Sequence, residues 1–290
     1  MARFFNYLPV LSLAFLWAFY GPLLRFLESI GLNVFDVNFL GFSLGAVLLL
    51  LIFKAQKAKL GFPAKTEAKK LLFYAVSLSS TNLFLFYAFT LSTFANTILL
   101  HYTGLLWGSL AAIVLFREKV TKWKAIAAAL CVIGIGVIFL PSVSLSEKFF
   151  VGNIAALASS FGYGGMILAS RSLKESDSKK VSFYSVLLCA LFYLPLFVFF
   201  GSQKEISGIF FGLSTGGAYS VIEALFVIYG MKAVSVIAAS IILVLEIPMT
   251  ILVGFLFYSE GIPFATMIGG ILITLGVLLL VAKDGASKAG

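Results

Sequence analysis

Glu223 follows Gly212, Gly216 and Tyr219 at steps of four, three and four residues, so all four fall on one face of a helix. A second glutamate, Glu246, shares a face with Ala239, Ile242 and Thr250, and His101, the only histidine in the chain, shares one with Thr97, Gly104 and Gly108. All three stand inside long apolar runs, and an ionisable group in a stripe of small residues exceeds what close packing requires. A carboxyl or an imidazole kept from bulk water can take up and release a proton, and either can hold the polar end of a bound molecule. Each also has a structural reading. Glu223 would be stable as a neutral carboxyl hydrogen-bonded to a neighbouring helix, and a buried imidazole settles readily on the hydroxyl of a nearby Thr or Tyr. Glu246 stands two residues before Pro248, which removes a backbone donor and can kink a helix.

Asn82 and Asn96 each bring a donor and an acceptor into an apolar run, suited equally to a cross-helix bond or to a ligand. Trp17, Tyr20, Tyr87 and Tyr163, with Tyr219, are the candidate aromatic wall of a site; Phe, Trp and Tyr make up 16% of the chain, so most rings must face lipid or core. Catalytic and metal patterns fail. One histidine excludes a His-x-x-x-His pair, Cys131 and Cys189 lie far apart in apolar runs, and there is no Gly-x-x-x-x-Gly-Lys loop. Gly162-Tyr163-Gly164-Gly165 lacks the strand-turn-helix context of a nucleotide loop and reads as close packing or a local helix break. The chain is therefore read as no enzyme and as needing no cofactor or metal.

The elements that must position these residues are set by composition. With 61% hydrophobic and 11% charged residues in 290, and a mean hydropathy of +1.08, the chain has too little polar surface for a soluble globule. Ten apolar runs come close to the roughly 20 residues that cross a bilayer as helix: 7–27, 37–53, 71–91, 93–116, 123–140, 149–169, 181–200, 206–230, 234–257 and 262–282. They are too long and evenly apolar for barrel strands. The first run continues past Gly21 and Pro22 without a small-x-small site, so it reads as a spanning helix rather than a removed leader. Ten crossings leave only Arg25, Lys148 and Lys204 of the 21 basic residues on one side. That bias places the other side, with both termini, in the cytoplasm of an inner or plasma membrane. The net charge of +9 is then a matter of topology and lipid headgroups, not of nucleic acid.

A shift of 142 residues lays Phe116-Arg117-Glu118 over Tyr258-Ser259-Glu260 and aligns Leu130 with Leu272, Ile133 with Leu275, Gly134 with Gly276 and Tyr87 with Tyr229. The fold expected is all-α integral membrane, ten transmembrane helices in two five-helix inverted repeats, 1–145 and 146–290, forming one membrane domain. Five is odd, so the second copy enters from the opposite face. Such a plan puts a substrate site near the midplane between the halves and works by alternating access.

Each half thus ends in an aromatic-x-Glu turn and a Gly-containing apolar helix (Gly134 and Gly136; Gly269, Gly270 and Gly276), and span nine carries Leu245-Glu246-Ile247-Pro248. In these features nearly the whole chain resembles the EamA-type branch of the drug/metabolite transporter superfamily. The first half departs from it, with Gly104 and Leu106 where the shift would place Glu and Pro, and with Trp17-Ala18 where Trp-Gly is usual. The resemblance implies a carrier of small metabolites, frequently an exporter of amino acids or related compounds, with a cavity lined by spans one, three, four, six, eight and nine. Without a nucleotide site, transport would follow a gradient, with protons and a small-molecule substrate as partners and the bilayer as setting. Efflux of cationic or aromatic compounds is the alternative within transport, and a channel or an intramembrane enzyme the alternative outside it. Glu118 and Glu260 read as caps on the next helix, and the Gly/Ala-rich spans five and ten suit a monomer or a homodimer.

Overall fold

The computed structural model describes residues 6–143, 146–202, 206–258 and 262–284. Arg3, Lys204, Glu260 and Lys288 lie outside the described residues. The helices of the described residues make ten crossings. The first is made of α1 (Leu8–Ala18) and α2 (Tyr20–Ser29); then come α3 (Val34–Ala55), α4 (Lys65–Leu91), α5 (Phe94–Phe116), α6 (Lys122–Phe139), α7 (Phe150–Ser172), α8 (Ser178–Phe200) and α9 (Ile206–Ala233). The ninth crossing is divided into α10 (Val236–Leu243) and α11 (Glu246–Tyr258), and α12 (Phe264–Asp284) is the tenth. Starts are fixed by side chains that take up free backbone N–H groups: Asn33 and Asp36 form a reciprocal box on α3, and Thr93, Thr121, Asp177 and Ser235 cap α5, α6, α8 and α10.

Both divided crossings break in the same way. Pro22 is the third residue of α2 and has no N–H for the carbonyl of Ala18, four residues back; Pro248 is the third residue of α11 and stands in the same relation to Val244. The chain tightens at each break through a bond to the third residue back, Phe19 N–H to the Leu16 carbonyl at 3.1 Å and Leu245 N–H to the Ile242 carbonyl at 3.0 Å.

Glycines bring the other crossings together, since no hydrophobic force drives helices together in lipid and close backbone approach must do so. A Cβ on Gly216 of α9 would lie 2.9 Å from Cα of Gly41 in α3, and one on Gly164 of α7 would lie 2.7 Å from the Gly104 carbonyl of α5. Gly162 and Gly165 face Thr81 and Ser77 of α4, so the glycine-rich string is packing within a continuous α7, not a break.

The contact of α6 with α12 fixes how the halves are related. Cβ atoms on Gly134 and Gly276 would lie 2.7 Å from the Gly269 carbonyl and 2.9 Å from the Ala127 carbonyl. Shifting either pair by the repeat length gives the other pair, which is how a two-fold interface contacts itself. Position numbers rise along one helix as they fall along the other, so the equivalent helices run antiparallel and the repeat is inverted. Cys131 Sγ reaches the Ile273 carbonyl at 3.9 Å, and these two residues are separated by 142 positions, so they meet across the axis itself. Gly134→Val and Gly269→Val are therefore expected to lower the Tm of the solubilised protein by similar amounts. Gly136→Val, whose Cβ would meet only a flexible Leu140 tip at 3.4 Å, should not; thermal unfolding of the three variants checks this.

One end of the bundle gathers the lysines. Lys180 pairs with Glu67 at 3.2 Å, Lys70 donates to the Ser172 carbonyl at 3.0 Å, and Lys232 donates to the Ser176 carbonyl at 2.5 Å. At the opposite end buried Asp36 accepts the backbone N–H and the hydroxyl of Ser202, while Asn33 donates to the Phe200 carbonyl at 2.9 Å, tying α3 to α8.

Candidate functional site

The two breaks face each other across a central cavity of about 80 Å³, room for several waters or one compact polar group. Trp17 and Tyr20 flank the break in the first crossing, and Glu246 opens α11 at the break in the ninth. Around it the N–H groups of Ile247 and Met249 bond back to the Val244 and Leu245 carbonyls, and Pro248 has none. Glu223, deep in α9, is 7% exposed and accepts the indole N–H of Trp17 at 2.9 Å.

His101 enters from α5, its ring stacked on Tyr163 at 4.8 Å and its Nδ1 2.9 Å from Ser159 Oγ. The Ser159 hydroxyl also lies 2.7 Å from the Ala156 carbonyl. Both contacts are satisfied only when Ser159 donates to that carbonyl and Nδ1–H of His101 donates to Ser159, so the neutral ring keeps its lone pair on Nε2. Tyr20 and Tyr219 pack at 5.2 Å, Trp17 meets Tyr163 edge-on at 5.6 Å, and Tyr102 lies beside Glu246. The hydroxyls of Tyr163 and Tyr219 are buried with no hydrogen-bond partner among the described residues.

Of the residues singled out from sequence, Trp17, Tyr20, Asn82, His101, Tyr163, Tyr219, Glu223 and Glu246 line this cavity. Tyr87 and Asn96 do not. Tyr87 is 38% exposed on the outer face of α4, and its repeat counterpart Tyr229 on α9 is 46% exposed. Asn96 donates to Asn153 Oδ1 at 3.0 Å, beside the turn from α4 to α5, and Ser92 donates to the same oxygen at 2.6 Å.

The stripes are corrected in part. Gly104 of α5 is taken up by packing on α7, and Thr97 by a bond to the Ala88 carbonyl at 3.1 Å; Ala239 and Ile242 are buried in the core because the break puts Glu246 out of phase with them. A further wall, α3, was not expected: Val37, Asn38, Gly41 and Phe42 all line the cavity. Asn38 donates to the Val34 carbonyl at 2.8 Å and accepts from Asn82 at 3.1 Å. Its signal was an amide alone in an apolar run.

The lining runs from Glu223 toward the end opposite the lysines, through Leu23 of α2 and the first turns of α3. At the lysine-rich end the halves are joined. Glu118, just beyond α5, accepts the backbone N–H groups of Val236 at 2.9 Å and Ile237 at 3.2 Å, and lies 3.7 Å from Arg171 of α7. Glu118 is thus a cap, but on α10 of the other half rather than on the next helix. Ser235, which also caps α10, accepts from buried Lys124 at 3.0 Å. Cys131 and Cys189 are buried packing residues, each close to a backbone carbonyl.

The sequence profile of the EamA-like transporter family matches this chain twice, over residues 5–140 and 150–282. An uncharacterized transporter of Archaeoglobus fulgidus is 26% identical over 166 residues, 57% of this chain and 59% of that protein, so the matched region spans about three-fifths of the relative's length. A crystal structure superposes with a TM-score of 0.81 over 94% of this chain and 97% of its own at 17% identity, a likeness of fold.

Proposed function

Because this multi-span membrane protein belongs to the EamA-like transporter family, we propose that it is a gradient-driven carrier that moves small polar metabolites, amino acids and related compounds among them, out of the cell by alternating access. One observation carries the reading: Glu223, Glu246 and His101 line one cavity, at the breaks of two crossings and between inverted halves. Broken helices, with their free backbone ends, are where such folds place substrates and coupling ions. Glu223 takes the proton or the polar end of the substrate, and Glu246 and His101 share that load. The lysine-rich end lies in the cytoplasm, as the charge bias requires, so the described state opens outward and the Glu118 contacts hold the inner side shut.

Efflux of cationic or aromatic compounds is the second reading, favoured by two carboxyl groups framed by the rings of Trp17, Tyr163 and Tyr219. Flux into proteoliposomes tests the proposal. Saturable uptake with counterflow is the expected result; ohmic conductance without saturation would mark a pore and sink it.

A further inference from the structure

The hydrogen-bond polarity of the cavity wall names the substrate more closely than its family does. Contacts at three places in the wall fix which atoms remain to meet a ligand. The indole N–H of Trp17 is spent on Oε1 of Glu223, leaving Oε2. The amide nitrogen of Asn38 gives one N–H to the Val34 carbonyl, so its oxygen faces the Asn82 amide nitrogen, and Asn82 keeps its own oxygen as an acceptor beside one remaining N–H. Nδ1 of His101 donates to Ser159, which leaves the Nε2 lone pair. With Glu246 the cavity thus holds carboxylate, amide and imidazole acceptors on four crossings. Among the described residues that line it there is no Lys or Arg. The two phenols without partners can donate or accept, and so fit either sign of neighbour.

Resting on the carrier reading above but narrowing its cargo away from amino acids, we propose that the substrate is a compact cation with several N–H donors, a primary ammonium or a guanidinium group, which enters with that group toward Glu223 and Glu246. A quaternary ammonium would satisfy the rings but bring no N–H, leaving buried acceptors unpaired. A free carboxylate would meet two carboxyl groups with no basic side chain to offset them.

Calorimetric titration of the purified protein with methylammonium, its successively methylated forms up to tetramethylammonium, guanidinium, glycine and acetate tests this. Affinity should fall at least tenfold from methylammonium to tetramethylammonium, guanidinium should bind, and acetate should not. Asn82→Leu, which removes an acceptor, should weaken guanidinium several-fold, while Tyr229→Phe on the outer face should change nothing. Equal binding of tetramethylammonium and methylammonium, or binding of acetate or glycine in preference to both, would overturn the proposal. Cation binding without counterflow in proteoliposomes would instead overturn the carrier reading and leave the ligand class standing. Counterflow confined to anions or zwitterions would do the reverse.

Discussion

Replacing Glu223 by glutamine is expected to cut gradient-coupled flux at least about 100-fold while leaving the protein folded and in the membrane. The amide has nearly the same shape, and its oxygen can still accept the Trp17 indole N–H that Glu223 Oε1 accepts at 2.9 Å, so packing around α1 and α9 is retained. What disappears is the charge, and with it both the attraction for a cation and the capacity to exchange a proton. A hydrogen bond to a charged group contributes about 1.5–3 kcal/mol, or roughly ten- to more than 100-fold in binding, before any coupled proton is counted. Trp17→Phe removes only the donor that orients this carboxyl, so it should weaken binding less than Glu223→Gln and leave coupling in place. Flux assays across a pH series separate the two variants. If Glu223→Gln transports like the parent at every pH, the carboxyl has no part in the mechanism.

The second large effect is expected at Glu118. Its carboxylate, on the first half, holds two backbone N–H groups at the start of α10 and faces Arg171, both on the second half. Losing a cap of this kind costs about 1 kcal/mol, up to about 2, and a partly exposed ion pair adds up to about 1 kcal/mol. Because these contacts join the halves at the lysine-rich end only, Glu118→Ala should shift the balance toward a state open at that end by about ten- to 100-fold. The readout is cysteine labelling at Val227 in a background without Cys131 and Cys189. Val227 is 1% exposed and is the repeat counterpart, 142 positions on, of the cavity residue Leu85. Faster labelling from the lysine-rich face is expected; an unchanged rate would show that Glu118 is only a cap.

Much of this was legible in the chain because a bilayer imposes strong rules. Ten apolar runs, one-sided lysines and the 142-residue shift led to the crossings and the inverted repeat, since backbone groups in lipid must pair internally and carboxyl groups there need a reason. Glu223, Glu246 and His101 stand out in the sequence for the same reason, and the fold brings them to one cavity. The breaks were half legible: Pro248 marked one, whereas Gly21-Pro22 read as an uninterrupted span. Proline alone decides little, because Pro195 is absorbed inside α8. Helical phase misled where it was carried through a break, as with Ala239 and Ile242 ahead of Glu246. Tyr87 and Asn96 had suitable types but the wrong faces, and facing is set by which helices pack together. Asn38 was passed over because α3 otherwise resembles a lipid-facing or core helix; only its contact with Asn82 and the approach of Gly41 to Gly216 bring it to the cavity.

The central claim is that one cavity, built between inverted halves, opens to each side in turn. Paired labelling of Leu85→Cys and Val227→Cys in proteoliposomes with a membrane-impermeant thiol reagent tests it most directly. The account predicts that Leu85→Cys reacts from the face opposite the lysines and Val227→Cys from the lysine-rich face, with substrate or Glu118→Ala changing the two rates in opposite directions. Simultaneous reaction at both sites whatever the substrate, or a Val227→Cys that never reacts, would contradict it.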